Sequence, residues 1–406
     1  MNKNQKGIAH LGLIVLVVLV IGGIAFAGMR VLNKNGGVSK TVSNLTGKDS
    51  GGDEQYWLKG CESKDRKSMT ALPMNIGDVD TISPLGLIAG AHVTPIDHLY
   101  MYPKAKERDK APVYAMADGY IVEIGSRGVM VDTGQERPPE YRIIMQHSCQ
   151  TVSYFDLVTK LDDSIIKEIG TLKPNDTKSE LRIPIKAGQE IGRIGGQSLD
   201  TAVYNFDMKL KGFISPELYE AEFWKIHTDD FFSYFSEAHQ TQMQALNRRK
   251  VKPYSGKIDY DQPGKLIGNW FKEGTNGYAG PKETQNQPGS NGSGYWSGHM
   301  AIFYDAITPT TIILSFGNYE GQPKSFAVKG NAPDPASVST SSGVVKYELV
   351  VAPNPFNPDS QDSSSSVTGT VLYQVLDGEK LKMELFPGKT ASQVSGFTSA
   401  ALTYER

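Results

Sequence analysis

Four short strand signals in fixed order between Val113 and Leu210 limit what this chain can fold into. The first is Val113-Tyr-Ala-Met-Ala-Asp-Gly-Tyr-Ile-Val-Glu-Ile-Gly125. The second is Tyr141-Arg-Ile-Ile-Met-Gln-His147, continuing to Tyr154-Phe-Asp-Leu157. The third is Ile185-Lys-Ala-Gly-Gln-Glu-Ile-Gly-Arg-Ile-Gly195, and the fourth is Val203-Tyr-Asn-Phe-Asp-Met-Lys-Leu210. Each is a short β-branched or alternating run, and Gly or Asp-Gly supplies the tight turns. A series of such strands predicts a compact β-sandwich or barrel.

The Ala117-Asp-Gly-Tyr-Ile-Val122 and Ala187-Gly-Gln-Glu-Ile-Gly192 pieces are turn and packing signals. In this order they resemble the lysostaphin-like (LytM-type) zinc endopeptidases, over about a third of the chain. The resemblance implies a duplicated hybrid motif β fold and cleavage of peptidoglycan cross-bridges in a bacterial cell envelope. It also implies zinc, held by a His-x-x-x-Asp pair and the second His of a late His-x-His strand. A further His in a Tyr-x-His segment would act in catalysis.

This chain departs from that pattern at each of those positions. The late strand reads Val203-Tyr204-Asn205, the Tyr-x-His position reads Tyr154-Phe155-Asp156, and the early pair is His92 to Asp97, one residue too long. A hydrolytic zinc site takes roughly three N/O/S ligands and a water. The expectation is therefore a degenerate, inactive relative, with no catalytic residues and no cofactor. A rearranged zinc site would have to draw on His92, His98 and His147, and an active endopeptidase of that kind is the alternative. A structural surface protein is a third reading.

The candidate binding residues are His92, Asp97, His98, His147, Asn205 and Asp207. Two imidazoles and a carboxylate close together could meet a metal or polar ligand. A loop containing Pro95 whose polar side chains bond backbone is the commoner outcome. Residues 203, 205 and 207 would share one face of a strand, leaving Asn205 and Asp207 as a polar stripe. That stripe could hold a peptide or sugar, or pin a neighbouring loop. His147 reads equally as a ligand and as a satisfied core residue.

Leu11 to Met29 is uncharged and apolar, 19 residues long, about the ~20 needed to span a bilayer. It predicts an N-terminal transmembrane helix, a single-pass cell-membrane anchor with the rest of the chain extracytoplasmic. A cleaved signal peptide ending at Ala25-Phe-Ala27 is the competing reading. The net charge of −2 argues against a polyanion partner such as nucleic acid. Cys61 and Cys149 could pair or remain two buried thiols.

The expected organisation is an anchor over 1–35, a flexible linker over 36–55 and a peptidase-like domain over 56–214. A helical connector over 215–254 and a C-terminal β domain over 255–406 follow. In the connector, Ser215-Pro216 reads as a helix start and Asp229 to Leu246 as an amphipathic helix. In the last region Val371–Leu376, Asp377-Gly378 and Lys380–Phe386 form a hairpin signal inside a mainly β antiparallel barrel or sandwich. Tyr295, Trp296, His299 and Phe303 there form either an aromatic ridge suited to a sugar or peptide, or a sheet core. The expected function is binding, to cell-envelope peptidoglycan or to an envelope hydrolase or assembly protein.

Overall fold

The computed structural model describes residues 54–88, 92–129, 136–282, 294–330, 332–354 and 366–406. After the short helix α1 (Glu54–Leu58) come β1 (Val79–Ser83), β2 (Leu99–Pro103), β3 (Ala111–Tyr114) and β4 (Gly119–Val129). They are followed by β5 (Glu136–Gln146), β6 (Thr151–Val158), β7 (Lys160–Leu161) and helix α2 (Asp163–Ile169). Then come β8 (Thr177–Lys178), β9 (Ile183–Ile185), β10 (Glu190–Ile194) and β11 (Leu199–Asn205). Among the described residues these strands make an eight-stranded sheet in the order β1-β2-β11-β6-β5-β4-β8, with β9 also on β4. A three-stranded sheet, β3-β10-β7, lies apart from it.

Strand parity decides what each sheet face carries. On β6, Ser153 and Phe155 point one way, and Val152, Tyr154 and Asp156 the other. Phe155 joins Val113, Ile121, Ile143, Met145, Ile191 and Val203 in the main apolar core, which draws on both sheets. Val152 and Tyr154 join Ile144, Ala202 and Tyr204 under Trp57 in a separate cluster. The sequence pieces that defined the region meet one another. The Asp118 carboxylate accepts from the Ala187 amide at 2.9 Å and from Lys186 at 2.9 Å. At Gly119 a Cβ would sit 2.2 Å from the Gln146 carbonyl, so the Asp-Gly turn admits no side chain there.

The connector is less helical than its pattern suggests. Pro216–His227 and Phe231–Tyr234 are 3-10 turns, and only α3 (Glu237–Leu246) is α-helical, capped by Ser236 accepting from the His239 amide. Phe231, Phe232, Tyr234 and Phe235 all enter the main core. An unbroken α-helix would spread four such consecutive rings around its axis, and a 3-10 turn followed by extended Phe235 does not.

The last region is a closed barrel. It comprises β12 (Gly268–Lys272), β13 (His299–Tyr304), β14 (Ile312–Tyr319), β15 (Gln322–Val328), β16 (Val345–Val351), β17 (Gly369–Leu376), β18 (Lys380–Pro387) and β19 (Leu402–Glu405). Successive strands pair antiparallel, and β12 closes on β19 through Phe271 and Glu405. Eight-stranded barrels either fill with side chains or hold one small ligand. This one is filled by Trp270, Met300, Phe316, Phe326, Tyr347, Tyr373 and their neighbours. Arg406 seals one end: its guanidinium lies 4.0 Å over the Trp270 ring and bonds the Ile267, Gln262 and Lys265 carbonyls. The aromatic ridge is core: Tyr295, His299 and Phe303 are buried, and His299 donates from Nε2 to the Tyr278 carbonyl at 3.0 Å.

The expected fold class needs one correction. Among the described residues no helix is long and apolar enough to cross a membrane; α3, the longest α-helix, has 10 residues. The apolar stretch Leu11 to Met29 lies outside the described residues. The N-terminal transmembrane helix and the single-pass membrane location are accordingly not supported.

Candidate functional site

The register of the large sheet gathers polar side chains on the face opposite the main core. Asp200 of β11 is paired with Asp156 of β6 and with Tyr100 of β2, and Ala202 with Tyr154. Paired residues point to the same face. Asp97 and His98 arrive on the loop before β2, which is held by Gly86 N to Ile96 O and Ile96 N to Leu87 O. Arg127 of β4 and Arg142 of β5 complete the face.

Every charge in this cluster has an opposite partner. Both His98 ring nitrogens are occupied, Nδ1 by Asp97 at 3.1 Å and Nε2 by Asp200 at 3.4 Å. The Tyr204 hydroxyl donates to the other Asp97 oxygen at 3.1 Å. Asp156, only 1% exposed, accepts from Arg142 at 3.1 Å, Tyr154 at 2.7 Å, its neighbour's amide at 2.8 Å, and Arg127. Tyr100 and Tyr154 pack around His98. From the connector, Lys225, 1% exposed, donates to the Pro95 carbonyl at 2.7 Å.

Protonation follows from these contacts. Burial alone would lower the His98 pKa, but Asp200 and Asp97 override it and raise it to about 9. Burial opposes ionisation of Asp97, yet His98 and the Lys225 charge hold it well below the usual carboxylate range. Asp156 is likewise held low, against burial, by Arg127 and Arg142. Burial pushes Asp200 up, with His98 opposing. Burial, with the His98 and Lys225 charges, drives His92 down to about 3, so it is neutral.

Such an arrangement cannot do acid–base or nucleophilic chemistry by a familiar route. A general base needs a free lone pair in reach of its proton, and His98 is an imidazolium donating both N–H groups. The Ser198 hydroxyl donates to Asp200 at 3.0 Å rather than facing an imidazole, so no nucleophile–base pair exists here.

Nor do the residues fit the zinc that the sequence resemblance implies. His92 lies 6.3 Å from His98, ring centre to ring centre. His147 is on the other face: it contacts the Ser153 hydroxyl at 2.8 Å from Nε2 and the Asp118 carbonyl at 3.0 Å from Nδ1. Burial lowers its pKa to about 4. The three histidines therefore do not converge. Val203 is in the apolar core, and Asn205 donates to Asp229 at 3.2 Å. Among the described residues no group of three His, Cys, Asp or Glu side chains could hold a metal ion.

No protein-family model matches the chain, and no curated protein matches it. Among solved structures it is similar to a zinc-containing peptidase from Vibrio cholerae, at 14% identity and a TM-score of 0.19. That match covers 34% of this chain and 37% of the peptidase, so the chain spans little more than a third of that protein's length. It is also similar to lysostaphin, at 13% identity and a TM-score of 0.19, over 70% of this chain and 94% of lysostaphin. The likeness is a distant peptidase-like one and says nothing about catalysis.

Of the six sequence-selected residues, the structure brings Asp97 and His98 into the cluster, with His92 beside it. His147 is across the sheet. Asn205 ends β11 and ties down the Asp229 loop, while Asp207 is exposed in the turn that follows. Sequence reasoning missed Arg127, Arg142, Tyr154, Asp156, Asp200, Tyr204 and Lys225. The usable signal was a polar residue at every second position of an otherwise apolar strand, as in Tyr154 and Asp156.

Proposed function

We propose that this chain is a non-hydrolysing relative of the lysostaphin-like endopeptidases that acts by binding cell-envelope peptidoglycan. The observation that carries the non-hydrolytic half is the occupation of His98 by Asp97 and Asp200. Fixed cations, His98 and Lys225, supply the charge that a metal would otherwise give Asp97. The peptidoglycan half rests on the ordered turn pieces around Asp118 and Gly188, which keep the family's pattern while its ligand positions do not. An envelope hydrolase or assembly protein is the other partner that this reading admits.

The test is co-sedimentation of the full chain with purified peptidoglycan sacculi, with and without micromolar zinc. Retention on the sacculi without release of soluble muropeptides is expected. Zinc-dependent release that disappears in His98→Ala would overturn the reading. Failure to sediment with sacculi would remove peptidoglycan as the ligand.

A further inference from the structure

The segment that begins the described chain lies across the same sheet face as the ionic cluster. Trp57 of α1 is buried among side chains from three directions. It stacks on Tyr204 at 6.1 Å and 30° and on Trp224 at 5.4 Å and 29°, and it meets Phe206 and Phe223 at 6.3 and 5.2 Å. Tyr204 thus carries the Trp57 indole on its ring and bonds Asp97 with its hydroxyl. Around this indole Tyr120, Phe206, Phe223 and Trp224 are only partly buried.

Few contacts hold Trp57 in place, and one of them is covalent. Gln146 donates to the Trp57 and Lys59 carbonyls at 2.6 and 3.3 Å. Glu62 pairs with Arg182 at 3.2 Å with its own side chain 78% exposed, and Lys59 pairs with Glu180 at the surface. Exposed ion pairs of this kind contribute little. Cys61 is bonded to Cys149 in the turn between β5 and β6, where the Cys149 amide also bonds the Ser63 carbonyl at 2.6 Å.

We infer that residues 54–63 are a disulfide-latched cap, and that Trp57 is a removable occupant of an aromatic subsite for a glycan strand. The indole sits where a flat sugar face would lie against the rings of Tyr204 and Trp224, since aromatic rings offer broad apolar surfaces to such a ligand. This rests on the peptidoglycan-binding reading and adds how access to the face is controlled. Release takes two electrons and two protons from a dithiol. One thiolate attacks a sulfur of the Cys61–Cys149 bond and forms a mixed disulfide. The second thiolate closes a cyclic disulfide, and both cysteines leave as thiols. With the latch open, the remaining surface contacts allow local detachment without global unfolding.

Hydrogen exchange of the full chain, oxidised and after treatment with dithiothreitol, tests the cap. Amides of residues 57–63 are expected to exchange at least ~10-fold faster after reduction, while β13 and β14 keep their protection. Unchanged exchange at 57–63 would overturn the cap. Sacculus binding is then compared for the oxidised chain, the reduced chain and Trp57→Ala, which empties the subsite with the disulfide intact and so does not depend on folding of the reduced form. Both opened forms are expected to bind at least ~10-fold more tightly, a factor of ten being about 1.4 kcal/mol. Equal binding in all three forms would overturn control by the cap. Opening without sacculus binding in any form would instead overturn the peptidoglycan reading.

Discussion

The inner face of the large sheet and the inside of the barrel are both closed to solvent, but their fillings differ. The barrel is packed with aromatic and aliphatic side chains, and its few polar atoms reach backbone, as Trp270 Nε1 reaches the Leu266 carbonyl at 2.8 Å and the Tyr347 hydroxyl the Pro333 carbonyl at 2.7 Å. The sheet face is packed with charges. Burying a large apolar side chain stabilises by about 1.5–3 kcal/mol. A buried ion pair, by contrast, roughly breaks even against an apolar filling of the same shape. The barrel interior is thus accounted for by stability, and the ionic face is not. Its shape and polarity are what a degenerate site leaves when fixed cations take over the charge balance.

The largest expected effect that would sharpen this contrast is at Asp156. Asp156→Ala strands Arg127 and Arg142 without their shared carboxylate and should cost about 3–5 kcal/mol in denaturant unfolding. A cost under ~1 kcal/mol would mean the network is loosely held and the comparison fails.

Next is the pH dependence, which separates the two regions by limb. His98 has its folded pKa raised to about 9. Its contribution is complete below the unfolded value of ~6.5 and is lost as pH rises through about 9, a fall on the order of 3 kcal/mol. His299 beside the barrel has its pKa lowered by burial to about 3. Its contribution is complete above ~6.5 and is lost as pH falls toward about 3. Asp97 and Asp156, held below the usual carboxylate range, add to the same acid limb. Stability measured by urea unfolding should flatten on the alkaline side in His98→Gln and lessen its acid slope in His299→Gln. The reverse assignment would break the comparison.

A smaller effect distinguishes two buried tyrosines. Tyr154→Phe loses a hydroxyl bonded to the Asp156 carboxylate and should cost about 1–3 kcal/mol. Tyr373→Phe loses only a 3.7 Å contact with the Met300 sulfur and should stay below about 1 kcal/mol. Smallest of all, Asp207→Ala at an exposed turn position should stay within about 0.5 kcal/mol and leave sacculus binding unchanged.

Local pattern carried much of the fold. The strand runs around Ile121, Ile143 and Ile191 are strands, and the Val371–Phe386 hairpin is present. Its turn is one residue longer than Asp377-Gly378 suggests, because Glu379 is also left-handed with φ 52°. The ionic face was not legible, because its members are joined by register. Asp156 and Asp200 are 44 positions apart and meet only when β6 and β11 pair. Lys225 lies in the aromatic run Phe223-Trp224-Lys225-Ile226, and a lysine there hinted at an internal partner. Asn205 and Asp207 separated because β11 stops at Asn205, so alternation ends before it can align them. His147 was indistinguishable from a ligand in the sequence, since its face is fixed by the pairing of β5 with β6.

Metal content tests the central claim most directly. The full chain is dialysed against micromolar zinc, freed of excess and measured by elemental analysis. With His98 held between two carboxylates, no stoichiometric zinc should remain. About one tightly held zinc per chain, lost in His98→Ala, would contradict the account and restore a hydrolytic centre.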